Sequence, residues 1–204
     1  HANRKSRTLP TPPVPETFAE TGCSAELVEA LAADGITQPT EAQHLAWDTL
    51  RHSRRDAAIV AEAGSGKTLS YLVPLLDKTI ADGGSQQQIH VIVPTHDLVS
   101  QVLRVATRLC ALTPLSVASA DVLTRARGPK GGSQPDVVVG TVAASASLIS
   151  AAARRGTDLT IVFDECDFML AGIRRTGKGS GSSPAGAILD AVRRSSKKAA
   201  KPAA

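Results

Sequence analysis

Short, uninterrupted apolar runs punctuate the middle of this chain, and segments of helical period separate most of them. The runs fall at 57–61 (AAIVA), 89–93 (IHVIV), 115–118 (LSVA), 136–139 (DVVV) and 159–163 (LTIVF). They are mostly β-branched and do not alternate with polar residues, the pattern of strands buried on both faces and hence of a parallel sheet. Helix-length stretches at about 67–81, 97–111 and 142–153 lie between them, with a weaker one at 120–127. This repetition predicts an α/β fold, a doubly wound parallel sheet flanked by helices. Upstream, Leu27, Val28 and Leu31 share one face of a helix at about 24–33, closed by Gly35. Pro39 holds Gln38 extended, and Thr40 is an N-cap for a helix to about His52, with Leu45 and Leu50 expected to face inward.

The flanks differ from this core. Pro10, Pro12, Pro13 and Pro15 forbid a helix in residues 1–16, whose basic residues are Arg4, Lys5 and Arg7. After 172 the chain turns Gly/Ser-rich, then offers a helix at about 186–194 and a Lys/Ala tail. Three parts are therefore expected: an arm at 1–16, a globular domain at 17–171, and a loop, helix and basic tail at 172–204. The net charge of +4 conceals basic ends around a mildly acidic middle. Basic arms suit phosphate backbones, and solvated tails read the same way. An acid-free start without Met fits either an organelle-targeting remnant, mitochondrial for example, or a linker.

Composition narrows the rest. The 204 residues suffice for one buried domain, and with 2% aromatics its core must be aliphatic. No apolar run approaches the ~20 residues of a membrane span. Cys23, Cys110 and Cys166 lack metal-ligand spacing and read as reduced thiols.

Two motifs carry chemistry. Ala61-Glu62-Ala63-Gly64-Ser65-Gly66-Lys67-Thr68 stands where the first expected strand meets a helix. There Ala63, Gly64, Ser65 and Gly66 would curl their N–H groups around phosphate, Lys67 would reach the β- and γ-phosphates, and Thr68 would offer a hydroxyl to Mg2+. Ala61 departs from the strict pattern, and a Gly-Ser-Gly turn before an ordinary helix is the plainer alternative. Asp164-Glu165-Cys166-Asp167 ends the last apolar run, at the strand end where such sheets bind ligands. Asp164 is a candidate to hold Mg2+, partly through water, and Glu165 to orient the attacking water.

With Phe18, Gly35, Pro39-Thr40 and Gln43 in order, and Phe18 twenty-five positions ahead of Gln43, the chain resembles the N-terminal, ATP-binding RecA-like lobe of the DEAD-box RNA helicases over about 16–170. That family's phosphate loop begins with alanine, and its acidic motif also occurs as Asp-Glu-Cys-Asp. The resemblance implies ATP and Mg2+ as ligands, adenine read by Gln43 with Phe18 packed nearby, and catalysis by Glu165, Lys67 and Asp164. Reciprocal capping of Thr40 and Gln43 competes with adenine reading.

The RNA motifs fit less well. Pro94, Thr95 and Gln101 match the family's Pro-Thr-Arg-Glu-Leu-Ala-x-Gln, but His96 and Asp97 replace its arginine and glutamate. Gly140 and Thr141 match the family's Thr-Pro-Gly-Arg element without its arginine, and its paired glycines are missing at Ala118-Ser119-Ala120, with Gly131-Gly132 too late to replace them. Pro94, Thr95, His96, Gln101, Gly140 and Thr141 are the candidate RNA contacts. No second lobe, with the arginines that assist hydrolysis, appears in this chain, so ATP binding with weak hydrolysis is expected. The resemblance implies an ATP-dependent RNA helicase or ribonucleoprotein remodelling factor, with structured RNA such as rRNA and assembly proteins as partners. A structural, helicase-derived subunit of a ribonucleoprotein is the alternative.

Overall fold

The computed structural model describes residues 13–52, 56–62, 64–83, 87–126 and 134–170, together with 186 and 188. Four parallel strands form the sheet: β1 (Gln87–Val93), β2 (Val117–Ser119), β3 (Val137–Thr141) and β4 (Asp158–Phe163), in the order β2-β3-β1-β4. Ile92 faces Gly140 on one side and Phe163 on the other, so the strand ends align along one rim.

Helices cover both faces. α1 (Ala25–Ala33), α2 (Glu41–His52), α3 (Lys67–Ala81) and α4 (His96–Cys110) gather with Ile89, Val91, Val93, Val137 and Val139 in the main core. On the other face, α5 (Ala120–Arg125) packs with Val138, and α6 (Val142–Arg155) brings Ile149 against Ile92. A last turn of helix, α7 (Cys166–Leu170), follows β4. Among the described residues no helix is long and apolar enough to cross a membrane.

α3 matches the expected range and runs through Pro74, which removes the hydrogen bond to the Ser70 carbonyl at a cost of about 3 kcal/mol. Leu72, Val73, Leu75 and Leu76 are at most 5% exposed. At about 1.5–3 kcal/mol each, their burial outweighs the proline. The buried carboxylate of Asp77, also on α3, accepts from the Ser24 N–H (2.7 Å) at the start of α1 and from Arg51 of α2 (2.5 Å), tying three helices together.

Two expectations need correction. The run 57–61 forms no strand: it is irregular and largely exposed, with Val60 96% exposed. Apolar, β-branched composition favours a strand only where a neighbour completes the ladder. Among the described residues β4 pairs with β1 alone, and no strand lies beside 57–61. Leu45 does not face inward either. It is 48% exposed, because α2 is rotated to bury Gln43, Ala46 and Trp47, while Leu50 packs at the core's edge.

Residues 186 and 188 are helical, with Ile188 buried beside Ile92 and Ile149. Residues 1–12, Ala63, Gly131-Gly132, the Gly/Ser stretch from 172 and the basic tail lie outside the described residues. Cys23 and Cys110 are free and buried, and burial pushes their thiols up to about 12 and about 11.

His90 of β1 is 1% exposed. The Gln88 Nε2 donates to the Pro135 carbonyl (2.8 Å), so the Gln88 Oε1 must accept from the His90 Nε2 (3.0 Å), which places the ring proton there. Burial, and then the Arg155 charge, push His90 from 6.5 down to about 4. The unfolded chain takes up a proton that the folded ring refuses. Stability is therefore full above pH 6.5 and falls as the pH drops towards 4, by roughly 3 kcal/mol. Urea denaturation at neutral pH and near pH 4 should show a smaller acid loss in His90→Gln than in the parent. Equal losses would assign the proton to another group.

Candidate functional site

The phosphate-loop candidate leads directly into α3. Gly64 and Gly66 adopt left-handed backbone (φ 79° and 81°), and the Ser65 N–H donates to the Glu62 carbonyl (3.3 Å). The backbone at Gly66 favours glycine, and a Cβ there would also lie 2.4 Å from the Gln43 Nε2, displacing the end of that side chain. Lys67 opens the helix with its ammonium on the Ala61 carbonyl (3.1 Å), across the loop's mouth.

Gln43 joins the Pro-Thr segment to this loop. Its N–H donates to the Thr40 Oγ1 (3.3 Å), and its Oε1 accepts from the Thr40 N–H (2.9 Å), so the reciprocal cap forms. Its Nε2 then donates to the Gly66 carbonyl (3.3 Å), while the Thr40 hydroxyl donates to the Ser65 carbonyl (3.2 Å). Gln43 is 5% exposed. Phe18 is 3% exposed and belongs to the main core.

Across the rim, the Asp164 N–H donates to the Ile92 carbonyl (3.0 Å), carrying the β1–β4 pairing one residue past the strand. The Asp164 Oδ1 accepts from the Glu165 N–H (3.0 Å), and its Oδ2 accepts from the Tyr71 hydroxyl (2.8 Å). Thr68 stands one helical turn before Tyr71 on α3, on the side of the phosphate loop. The Tyr71–Asp164 bond thus joins α3, one turn after Thr68, to the end of β4. Burial and the neighbouring carboxylate push the Tyr71 phenol far up, so it stays a donor. Glu165 is exposed and holds φ at 53°, a left-handed conformation that costs a non-glycine residue about 1–3 kcal/mol.

The candidate RNA contacts share this rim, because β1, β3 and β4 run parallel and end together. Pro94 and Thr95 follow β1, and the Thr95 hydroxyl caps α4 by accepting from the Leu98 N–H (3.3 Å). Gln101 lies exposed one turn along α4. Thr141 ends β3 and caps α6, accepting from the Ala144 N–H (3.4 Å). His96 is 75% exposed and faces the Asp121 carboxylate at 3.6 Å. Asp121 therefore brings a negative charge to a rim read from the sequence as a phosphate contact.

Gly140 has a packing reason to be glycine. A Cβ there would lie 2.3 Å from the Ala120 Cβ and 2.9 Å from the Ser145 Oγ. Gly140→Ala should lower stability by about 1–3 kcal/mol through overpacking, measurable as a shift in the urea midpoint. An unchanged midpoint would mean that α5 yields easily.

Sequence reasoning missed Tyr71 and Asp121. Tyr71 had a signal available, since it lies one turn after Lys67 and Thr68 on α3. Asp121 had none, as its place beside His96 depends on the packing of α5.

Comparison with known proteins gives the chain a family and a fold. A family model described as DEAD/DEAH box helicase matches residues 40–178. The chain is 29% identical over 171 residues to DEAD-box ATP-dependent RNA helicase 16 of Arabidopsis thaliana, covering 76% of this chain and 27% of that protein. It is 32% identical over 165 residues to ATP-dependent RNA helicase DBP9 of Pyricularia oryzae, covering 76% of this chain and 26% of that one. It thus spans about a quarter of those relatives' lengths. The solved structure of S. cerevisiae Dbp5 bound to RNA and ADP BeF3 superposes with a TM-score of 0.64 at 22% identity, covering 88% of this chain and 43% of that one, and shares its fold. With the family model covering most of the chain and this rim assembled as described, the chain belongs to the DEAD/DEAH box helicase family.

Proposed function

We propose that this chain is the ATP-binding lobe of an ATP-dependent RNA helicase that remodels ribonucleoprotein, in ribosome or other RNP assembly. The observation that carries this reading is the Tyr71–Asp164 hydrogen bond, which joins the helix behind the phosphate loop to the acidic strand end. Lys67 and the loop amides would bind the β- and γ-phosphates of ATP. Gln43, with Phe18 behind it, would serve the adenine edge. Pro94, Thr95, His96, Gln101, Gly140 and Thr141 would meet the RNA backbone.

The donor set suits Mg2+. Thr68 offers a hydroxyl and Asp164 a carboxylate, hard oxygens of the kind this ion uses when phosphates and water complete its shell. Bound there, the ion would neutralise charge on the phosphates. Glu165 would orient the water that attacks the γ-phosphate and take up its proton. None of the residues given these roles is an arginine, and an arginine finger is worth about 10³–10⁵ in rate, so the lobe alone should hydrolyse ATP slowly.

The test is the ATPase activity of the full-length protein with and without structured RNA. RNA stimulation that Glu165→Gln abolishes supports the reading. Asp121 beside His96 favours a second one, a structural subunit with a weakened RNA rim. ATP binding without RNA stimulation, and particle assembly indifferent to Lys67→Ala, would favour it.

A further inference from the structure

We propose that Tyr71 is a positioning residue for the magnesium carboxylate, fixing Asp164 from the helix that carries Thr68; this rests on the nucleotide-site reading above. Tyr71 is 5% exposed, with its ring in the main core and its hydroxyl at the rim. A buried phenol needs a partner for its O–H. The partner here is the Asp164 Oδ2 at 2.8 Å.

The consequence is orientation. A carboxylate offers about four lone-pair directions. At Asp164 one oxygen is held by the Glu165 N–H (3.0 Å) and the other by Tyr71, which stops the group from turning and leaves its remaining directions free for an incoming ligand. Tyr71 thereby ties Asp164 to α3, the helix that carries Thr68. Such outer contacts commonly set metal affinity, and losing one costs about 10–100-fold. A tyrosine serving only as filling for the core would have no need of this hydroxyl.

Tyr71→Phe removes the hydroxyl and keeps the ring. The measurement is binding of a fluorescent ATP analogue to full-length protein, titrated with Mg2+ and repeated in EDTA, with thermal unfolding run alongside. The variant should need about 10–100-fold more Mg2+ to reach the parent's nucleotide affinity, and excess Mg2+ should restore that affinity. Affinity in EDTA should not change. A parent-like Mg2+ dependence in Tyr71→Phe overturns this role alone, as does a lowered melting temperature with that dependence intact. A parent protein that shows no Mg2+-dependent nucleotide binding overturns the nucleotide-site reading and this inference together.

Discussion

Replacing Glu165 with glutamine is expected to lower RNA-stimulated ATP turnover of the full-length protein by about 10²–10⁴-fold, the range for losing a general base. The substitution keeps the side chain's length and the backbone. The Glu165 N–H still donates to the Asp164 Oδ1, so the neighbouring carboxylate keeps its orientation. Only the proposed proton acceptor is lost, and binding of a non-hydrolysable ATP analogue should be unchanged. The left-handed backbone at Glu165 (φ 53°) argues that this position is maintained at a cost, as functional residues in sparsely populated conformations often are. A steady-state assay on parent and variant decides the matter. Turnover retained by the variant would place proton abstraction on another group and leave the strained turn unexplained.

Removing the Asp77 carboxylate should have the largest effect on stability. Asp77 is 3% exposed, with the Ser24 N–H and the Arg51 guanidinium as its partners. Asp77→Ala strands both donors. Breaking a buried pair from one side costs about 3–5 kcal/mol. Arg51 keeps 23% of its surface in water, so the lower end, near 3 kcal/mol, is expected. This cost arises from the unpaired charge, and the geometry offers a check. Arg51→Met with Asp77→Leu removes both charges and should lose less than Asp77→Ala alone, as seen in urea denaturation. If the double variant loses as much or more, the pair contributes net attraction beyond satisfying buried groups.

Most of the fold could be read from residue order. β1, β3, β4 and α3, α4, α6 lie within a few residues of their expected places, because continuous β-branched runs and helical periods report local preference directly. The order of the phosphate-loop, Pro-Thr and acidic motifs was equally legible, and it put the candidate residues at strand ends and helix starts. Gln43 illustrates where such reading divides. The spacing Thr40-x-x-Gln43 suggested a cap, the motif order suggested adenine, and the folded chain forms the cap while adding a third contact, to Gly66.

Other features depended on partners far away in the chain. The run 57–61 has strand composition, yet hydrogen-bonding neighbours decide whether a strand exists, and none is paired with it among the described residues. Gly140 is glycine because Ala120 and Ser145 crowd it, which no local rule reports. Tyr71 meets Asp164 across 93 positions, and His90 refuses its proton because α6 and β3 enclose it and bring up Arg155. Periodicity and motif spacing are properties of neighbours in sequence, so they survive in a string of letters. Ladder partners, steric limits and desolvation arise only when distant segments are packed together.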